Sequence, residues 1–247
     1  MIEASEKRVR LWMEKDTEMF NPREDCDNFG TMVCWHRRYN LGDEQPRDDP
    51  DEFFEKLACE ANDRLEDLIY DWNNSGFEWL ESKYGTGAAI NASGSHISNL
   101  IRWVLDRNFL ILPLYLYDHS GLSMSTGAFS CPWDSGQVGY IYVSVEDVLK
   151  NWSVSSLDEP VHYPHDDSTK PARERALDLL RIEVEVYDQY LRGDIWGFSI
   201  EEMNEDGEWV TTDSCGGFFG DDPFKNGISD HVPEELHDLL READVEW

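Results

Sequence analysis

Hydrophobic positions recur most regularly between Asp51 and Asn74, where Phe54, Leu57, Ala58, Ala61, Leu65, Leu68 and Trp72 follow one another every three or four residues. The spacing predicts one amphipathic helix, with Pro50 suited to its first turn and Asn73-Asn74-Ser75-Gly76 ending it. The same period runs through His96 to Asn108, on Ile97, Leu100, Ile101, Val104 and Leu105, and through Pro171 to Tyr190, on Leu177, Leu180, Val184 and Tyr187. Shorter helices are predicted at Phe77 to Tyr84, Glu146 to Trp152 and Pro233 to Ala243. A looser helical spacing of Val9, Trp12, Met13 and Phe20 predicts one more short helix within Glu3 to Phe20.

Strand patterns occupy the intervals. Thr31, Val33 and Trp35 alternate ahead of a turn at Gly42-Asp43, and a charged loop with Pro46 and Pro50 follows. Phe109 to Tyr117 and Gly139 to Val145, rich in aromatic and branched residues, read as buried strands joined by a Gly- and Ser-rich connection. Gly193 to Ile200 and Glu208 to Asp213 flank Asn204-Glu205-Asp206-Gly207, whose Asp-Gly pair suits the positive φ angles of a hairpin turn. The small residues of Gly85 to Gly94 are expected to form a loop, and 154–170, with Pro160, His162, Pro164 and His165, a linker or long loop. That linker would separate an N-terminal α+β region, 1–153, from a C-terminal helix and hairpin, 171–247, unless the chain forms one compact domain. Helices and antiparallel strands in mixed order predict an α+β fold, a mixed antiparallel sheet with several packed helices.

Composition supports a folded chain: 40% of residues are apolar and 13% aromatic, unlike the aromatic-poor acidic sequences that stay disordered. The longest apolar run, Phe109 to Tyr117, is interrupted by Pro113 and falls well short of the ~20 residues a bilayer span needs. Met1 to Met13 alternates charged with single apolar residues, unlike a secretory or transit peptide. Cys26, Cys34, Cys59, Cys131 and Cys215 are odd in number and irregularly spaced, which predicts free thiols in a reducing compartment. A cytoplasmic protein without membrane association is expected.

Charge changes the picture most. Fifty-two acidic residues against twenty-one basic ones give a formal net charge of −31. Such a field repels nucleic acid and anionic membranes and attracts the basic grooves that normally hold nucleic acid. On the predicted helix Asp51, Glu52, Glu55, Glu60, Asp63, Glu66, Asp67 and Asp71 lie off the apolar stripe, opposed by Lys56 and Arg64. At ~1.5 Å rise per residue this is about one carboxylate per 4 Å of axis, against ~3.4 Å per phosphate on a strand of DNA. These eight are the candidate partner-binding residues, and the expected partner is a basic nucleic-acid-binding protein or complex of a host. Further acids cluster at Asp43 to Asp51, Asp158 to Asp167, Glu201 to Glu208 and Asp221-Asp222. The same acidity also suits a structural or interaction module kept soluble by its charge. Adaptation to high salt is a further alternative, which seven lysines against fourteen arginines would match.

Other chemistry is thinner. Cys131-Pro132-Trp133-Asp134-Ser135-Gly136 is similar to the nucleophile segment of trypsin-like serine proteases, but Trp133 stands where that family has an oxyanion-hole glycine, and no Ala-Ala-His-Cys-type segment precedes it. A small hydrolase using His119, Asp134 and Ser135 or Cys131 is the enzyme alternative. Asp118, His119 and Cys131, or Cys26, Cys34 and His36, match no established metal-ligand spacing, so no metal or cofactor is expected. Gly85 to Gly94 and Gly216 to Gly220 lack the lysine of a phosphate-binding loop and the order of a dinucleotide fingerprint. Basic residues are too few and too interleaved with acids for direct nucleic-acid binding.

Two blocks, Asp118 to Gly121 continuing through Ser130 to Tyr140, and Tyr187 to Gly193 continuing through Asp213 to Gly220, resemble uncharacterised acidic proteins of phages and mobile elements, as does Gly30 to Asp43. Together they cover under half the chain. The resemblance implies a setting in which acidic antirestriction and anti-CRISPR proteins are common, and carries over no catalytic residue. With the charge, it leads to one expectation: a DNA-mimicking inhibitor that blocks the nucleic-acid groove of a host defence complex in the host cytoplasm.

Overall fold

A computed structural model describes residues 8–17, 20–163 and 168–242. The chain begins with β1 (Val9–Lys15), α1 (Pro22–Asp25), β2 (Thr31–Cys34), α2 (Pro50–Ala61), α3 (Leu65–Asp71), a π-helical turn (Trp72–Gly76), α4 (Phe77–Tyr84) and α5 (Thr86–Asn108). Then come β3 (Phe109–Asp118), β4 (Leu122–Ser125), β5 (Ser135–Ser144), α6 (Val145–Trp152), β6 (Pro160–Tyr163), β7 (Ser168–Pro171) and α7 (Ala172–Leu191). It closes with β8 (Ile195–Met203), β9 (Trp209–Phe219), α8 (Ile228–His231), a 3₁₀ turn (Glu234–Leu236) and α9 (His237–Glu242). Antiparallel pairing with several helices makes this the α+β fold that the pattern predicts.

The chain divides into two compact units, each assembled from separated segments. One gathers the described residues of Met1–Asn28, Tyr115–Gly136 and Ile182–Trp247. Its sheet runs β1-β8-β9, with Met13 opposite Phe198 and Ile200 opposite Asp213. Leu11, Met13, Trp196, Phe198, Ile200 and Phe218 bury one face of that sheet together with Ile228, Val232 and Leu240 from the C-terminal helices. The Lys15 ammonium lies 4.3 Å from the Trp196 ring centre and 2.9 Å from Asp194, which also accepts from the Trp196 indole at 2.9 Å. Burial raises the Asp194 pKa, but the bonds from Lys15 and Trp196 outweigh it and hold this carboxyl below its ordinary value.

The other unit gathers Phe29–Leu114 and Gln137–Arg181 and contains the acidic segment. Strand β5 lies between β2 and β3, and Gly139 stands where β5 meets β2. A Cβ there would fall 2.1 Å from the Val33 carbonyl oxygen, so only glycine lets the strands close. Ala58, Leu65, Ile69, Val104 and Leu105 form a core between α2, α3 and α5.

Several expectations are corrected. The described part of Glu3 to Phe20 is the strand β1: Leu11 and Met13 point into the core, while Trp12, which suggested a helical stripe, is exposed and donates to Glu201 at 3.2 Å. Alternation, not a period near four, governs these residues. The helix expected over Asp51 to Asn74 is broken at Asn62, whose backbone is extended and whose side chain accepts from the Arg64 N–H at 3.1 Å. Asparagine competes for backbone groups in this way, and the apolar stripe restarts on the same core through Leu65 and Ile69, while Leu68, expected on the stripe, is exposed because the break at Asn62 turns α3 about its axis. Asn73 to Gly76 does not stop the helix but passes through the π-helical turn into α4.

Gly85 to Gly94 is not a loop. Gly85, at φ +85°, reverses the chain, and Thr86 opens α5 at once. The segment's weak helix formers are carried by Ile97 to Leu105, which dock on the core, and by Ala89, which is fully buried. The segment 154–170 carries β6 and β7, paired antiparallel. Pro164 and His165 lie outside the described residues, as do Glu3 to Lys7 and Ala243 of the predicted terminal helices.

Candidate functional site

Helix α2 is held at its start by local chemistry. Asp49 accepts from the Glu52 N–H at 2.9 Å, and Pro50 occupies the first turn. Such a cap contributes about 1 kcal/mol, and Asp51 and Glu52 add favourable charge at the positive end of the helix dipole. The inner face is aromatic. Phe53 meets Trp35 edge-on at 5.5 Å between centroids, Phe54 meets Tyr140 at 4.8 Å, and Phe53 meets Tyr142 at 6.2 Å. The Trp35 indole donates to the Asp48 carbonyl at 2.7 Å, fixing the loop that delivers the helix. Strands β2 and β5 thereby set where the outer face points.

That outer face carries the predicted carboxylates. Asp51, Glu52, Glu55 and Glu60 stand exposed on α2, and Glu66, Asp67 and Asp71 on α3. Asp63 is exposed in the bend between the two helices and not on a helix. The structure therefore presents two short acidic helices and a corner. Lys56 bonds Asp48 at 2.7 Å and Glu52 at 3.1 Å, bonds that raise its pKa, so the one lysine of α2 is already engaged by carboxylates.

Neighbouring groups register the field. Burial, with the Glu44 and Glu60 carboxylates, pushes the Tyr142 hydroxyl up to about 12, a bond with Thr31 offsetting part of the rise. Burial, with Glu55 and Glu66, raises the Cys59 thiol.

Sequence reasoning missed what lies beside the acids. One face of α5, Gly94, Ile97, Ser98, Ile101, Arg102, Leu105 and Asp106, lies opposite Asp51, Phe54 and Glu55 of α2 across a cavity of about 480 Å³ that also reaches Ile111 and Tyr140. The apolar residues on α5 recur every three or four positions, but the stripe begins at Gly94, inside the stretch read as a loop. It missed too that Tyr70, Trp79, Tyr84 and Trp103 each expose more than half their surface. The regular stripe of the predicted helix suggested that its aromatics are inside, whereas Tyr70 lies off the stripe.

Asp134 is the group that joins the hydrolase candidates. His119 Nδ1 lies 3.4 Å from Asp134 Oδ2, and the Cys131 thiol 3.5 Å from the same oxygen, so the carboxylate stands between imidazole and sulfur. The Ser135 hydroxyl donates instead to the Cys131 carbonyl at 2.5 Å. Among the described residues no group of three or more His, Cys, Asp or Glu is placed to hold a metal ion, which includes the sets around His119 and His36. No helix of the described residues is long and apolar enough to cross a membrane. No protein-family model, curated protein or solved structure matches the chain.

Proposed function

We propose that this protein is an acidic DNA-mimicking inhibitor that occupies the nucleic-acid-binding groove of a host defence complex, of the restriction or CRISPR type. The observation that carries the reading is that all eight carboxylates are exposed, Asp51, Glu52, Glu55 and Glu60 on α2, Asp63 at the bend and Glu66, Asp67 and Asp71 on α3, with α2 anchored to a sheet through an aromatic cluster and α3 packed on the core it shares with α2 and α5. Flexible acidic chains lose conformational freedom when they bind; a pre-set array does not. Along α2 the acids Asp51, Glu52, Glu55 and Glu60 are one, three and five residues apart, a mean rise of about 4.5 Å against ~3.4 Å between phosphates of one DNA strand. A basic groove would meet carboxylates at a mean density near that of phosphates.

In this reading the protein works in the host cytoplasm, needs no cofactor and binds no nucleic acid itself. The same proposal takes up the phage or mobile-element setting implied by Gly30 to Asp43, Asp118 to Gly121 with Ser130 to Tyr140, and Tyr187 to Gly193 with Asp213 to Gly220, where a role against host defence would belong. The test is to measure its affinity for purified restriction and CRISPR complexes at low and high salt, with duplex DNA as competitor. Binding should be lost as DNA is added and should weaken at least about tenfold between low and physiological salt. Binding that DNA does not displace overturns the mimicry.

A further inference from the structure

We infer that the α2–α5 groove receives a cationic amphipathic helix of the partner protein, so that recognition combines apolar insertion with charge. This rests on the proposed function and adds the chemistry of the partner at the same site. The floor of the groove is apolar: Phe54 from α2, Ile97, Ile101 and Leu105 from α5 and Ile111 from β3. Its rim carries Asp51, Glu55 and Asp106 against the single guanidinium of Arg102. Asp51 and Glu55 are also two of the eight exposed carboxylates, so the groove opens directly beside the acidic face.

Phosphate mimicry alone requires no such floor. DNA offers its partners charge along a backbone, whereas a half-buried apolar trough is complementary to side chains such as Leu, Ile or Trp. The lining residues of α5 span Gly94 to Asp106, about 18 Å of axis, or three turns of an opposing helix. An apolar stripe at i, i+3, i+4 and i+7 would lie on Ile97, Ile101 and Phe54, with flanking Lys or Arg reaching Asp51, Glu55 and Asp106. A second copy of this chain, at net charge −31, would bring the wrong sign to that rim. Charge complementarity thus selects a basic partner.

Gly94 gives a clean test. A Cβ at this position meets nothing within 4 Å, and its φ is not in the left-handed range, so Gly94→Leu adds bulk to the groove's lining without strain and leaves every charge in place. Ile101→Asn is the second variant, which removes the apolar floor instead. The probe is a fluorescently labelled synthetic helix of Lys, Leu and Trp, compared with a peptide of equal charge made of Lys, Ser and Gly, both titrated onto the full chain by anisotropy. Circular dichroism checks that each variant is folded.

The amphipathic peptide should bind about tenfold or more tightly than the control, and both variants should reduce it to the control's level while leaving the control's own binding unchanged. Equal binding of the two peptides, or an advantage that survives Gly94→Leu, overturns the groove and leaves the charge-based mimicry standing. Conversely, if the groove's advantage holds but DNA does not compete for host complexes, mimicry fails and the groove remains. Concentration-dependent self-association that Gly94→Leu abolishes makes the occupant a second copy and overturns the proposal.

Discussion

Tyr142 and Cys59 are two side chains that report the acidic face without belonging to it. The Tyr142 hydroxyl has an ordinary pKa near 10 and is held at about 12 by burial and by Glu44 and Glu60. Because the folded value is the higher one, the contribution to stability is complete below pH 10 and is lost as pH rises from about 10 to about 12, where only the unfolded chain gives up the proton readily. Tyr142→Phe should flatten the alkaline fall of the urea midpoint within that window, and a fall identical in wild type and variant would show that folding does not raise the pKa of this hydroxyl. At Cys59 burial comes first and Glu55 and Glu66 add to it. Its alkylation by iodoacetamide near neutral pH should be slower than that of the exposed Cys26 and Cys215, and Glu55→Gln with Glu66→Gln should speed it. Mass spectrometry of the labelled peptides gives the rates directly.

At the scale of elements, the segment from Asp49 to Asp71 is a capped helix, a corner at Asn62 and a second helix. Asp49→Ala removes the acceptor for the Glu52 N–H and should cost about 1 kcal/mol, read as a lower urea midpoint, while Asp49→Asn should retain most of it. The sequence pattern resolved those elements whose apolar residues report a single period. Leu177, Leu180, Val184 and Tyr187 mark α7 without ambiguity, and Asp206-Gly207 marks the β8–β9 turn. It failed where tertiary contacts override local signals: Val9, Leu11 and Met13 also fit an alternating strand, and pairing with β8 decides between the two. Gly87 and Gly94 weaken a helix locally, yet α5 persists because Ile97 to Leu105 anchor it. The eight carboxylates were legible because polar residues off an apolar stripe face solvent wherever the stripe is buried. The groove was not, because it depends on α2 and α5 lying side by side, which no local pattern encodes.

For the whole molecule, the charge of −31 sets two salt dependences of opposite sign. Self-repulsion opposes the compact state, and raising ionic strength shortens the screening length from roughly 30 Å at 0.01 M to about 8 Å at 0.15 M. The melting temperature should therefore rise by several degrees between low and moderate salt, while affinity for a basic partner should fall over the same range. Acidity that serves only solubility predicts the first trend and not the second. Neutralising Glu55, Asp63, Glu66 and Asp67 together, as Gln or Asn, separates the two effects on one chain. All four are exposed, so the fold loses no buried partner, and relief of repulsion should leave the melting temperature at low salt unchanged or higher. Partner affinity and its salt dependence should both decrease, because the charges removed are those a basic groove would contact. Calorimetric melting and DNA-competition binding on this variant give the decisive pair of measurements: lower affinity with undiminished stability supports the array as the recognition surface, and unchanged affinity for the wild-type partner removes it from that role.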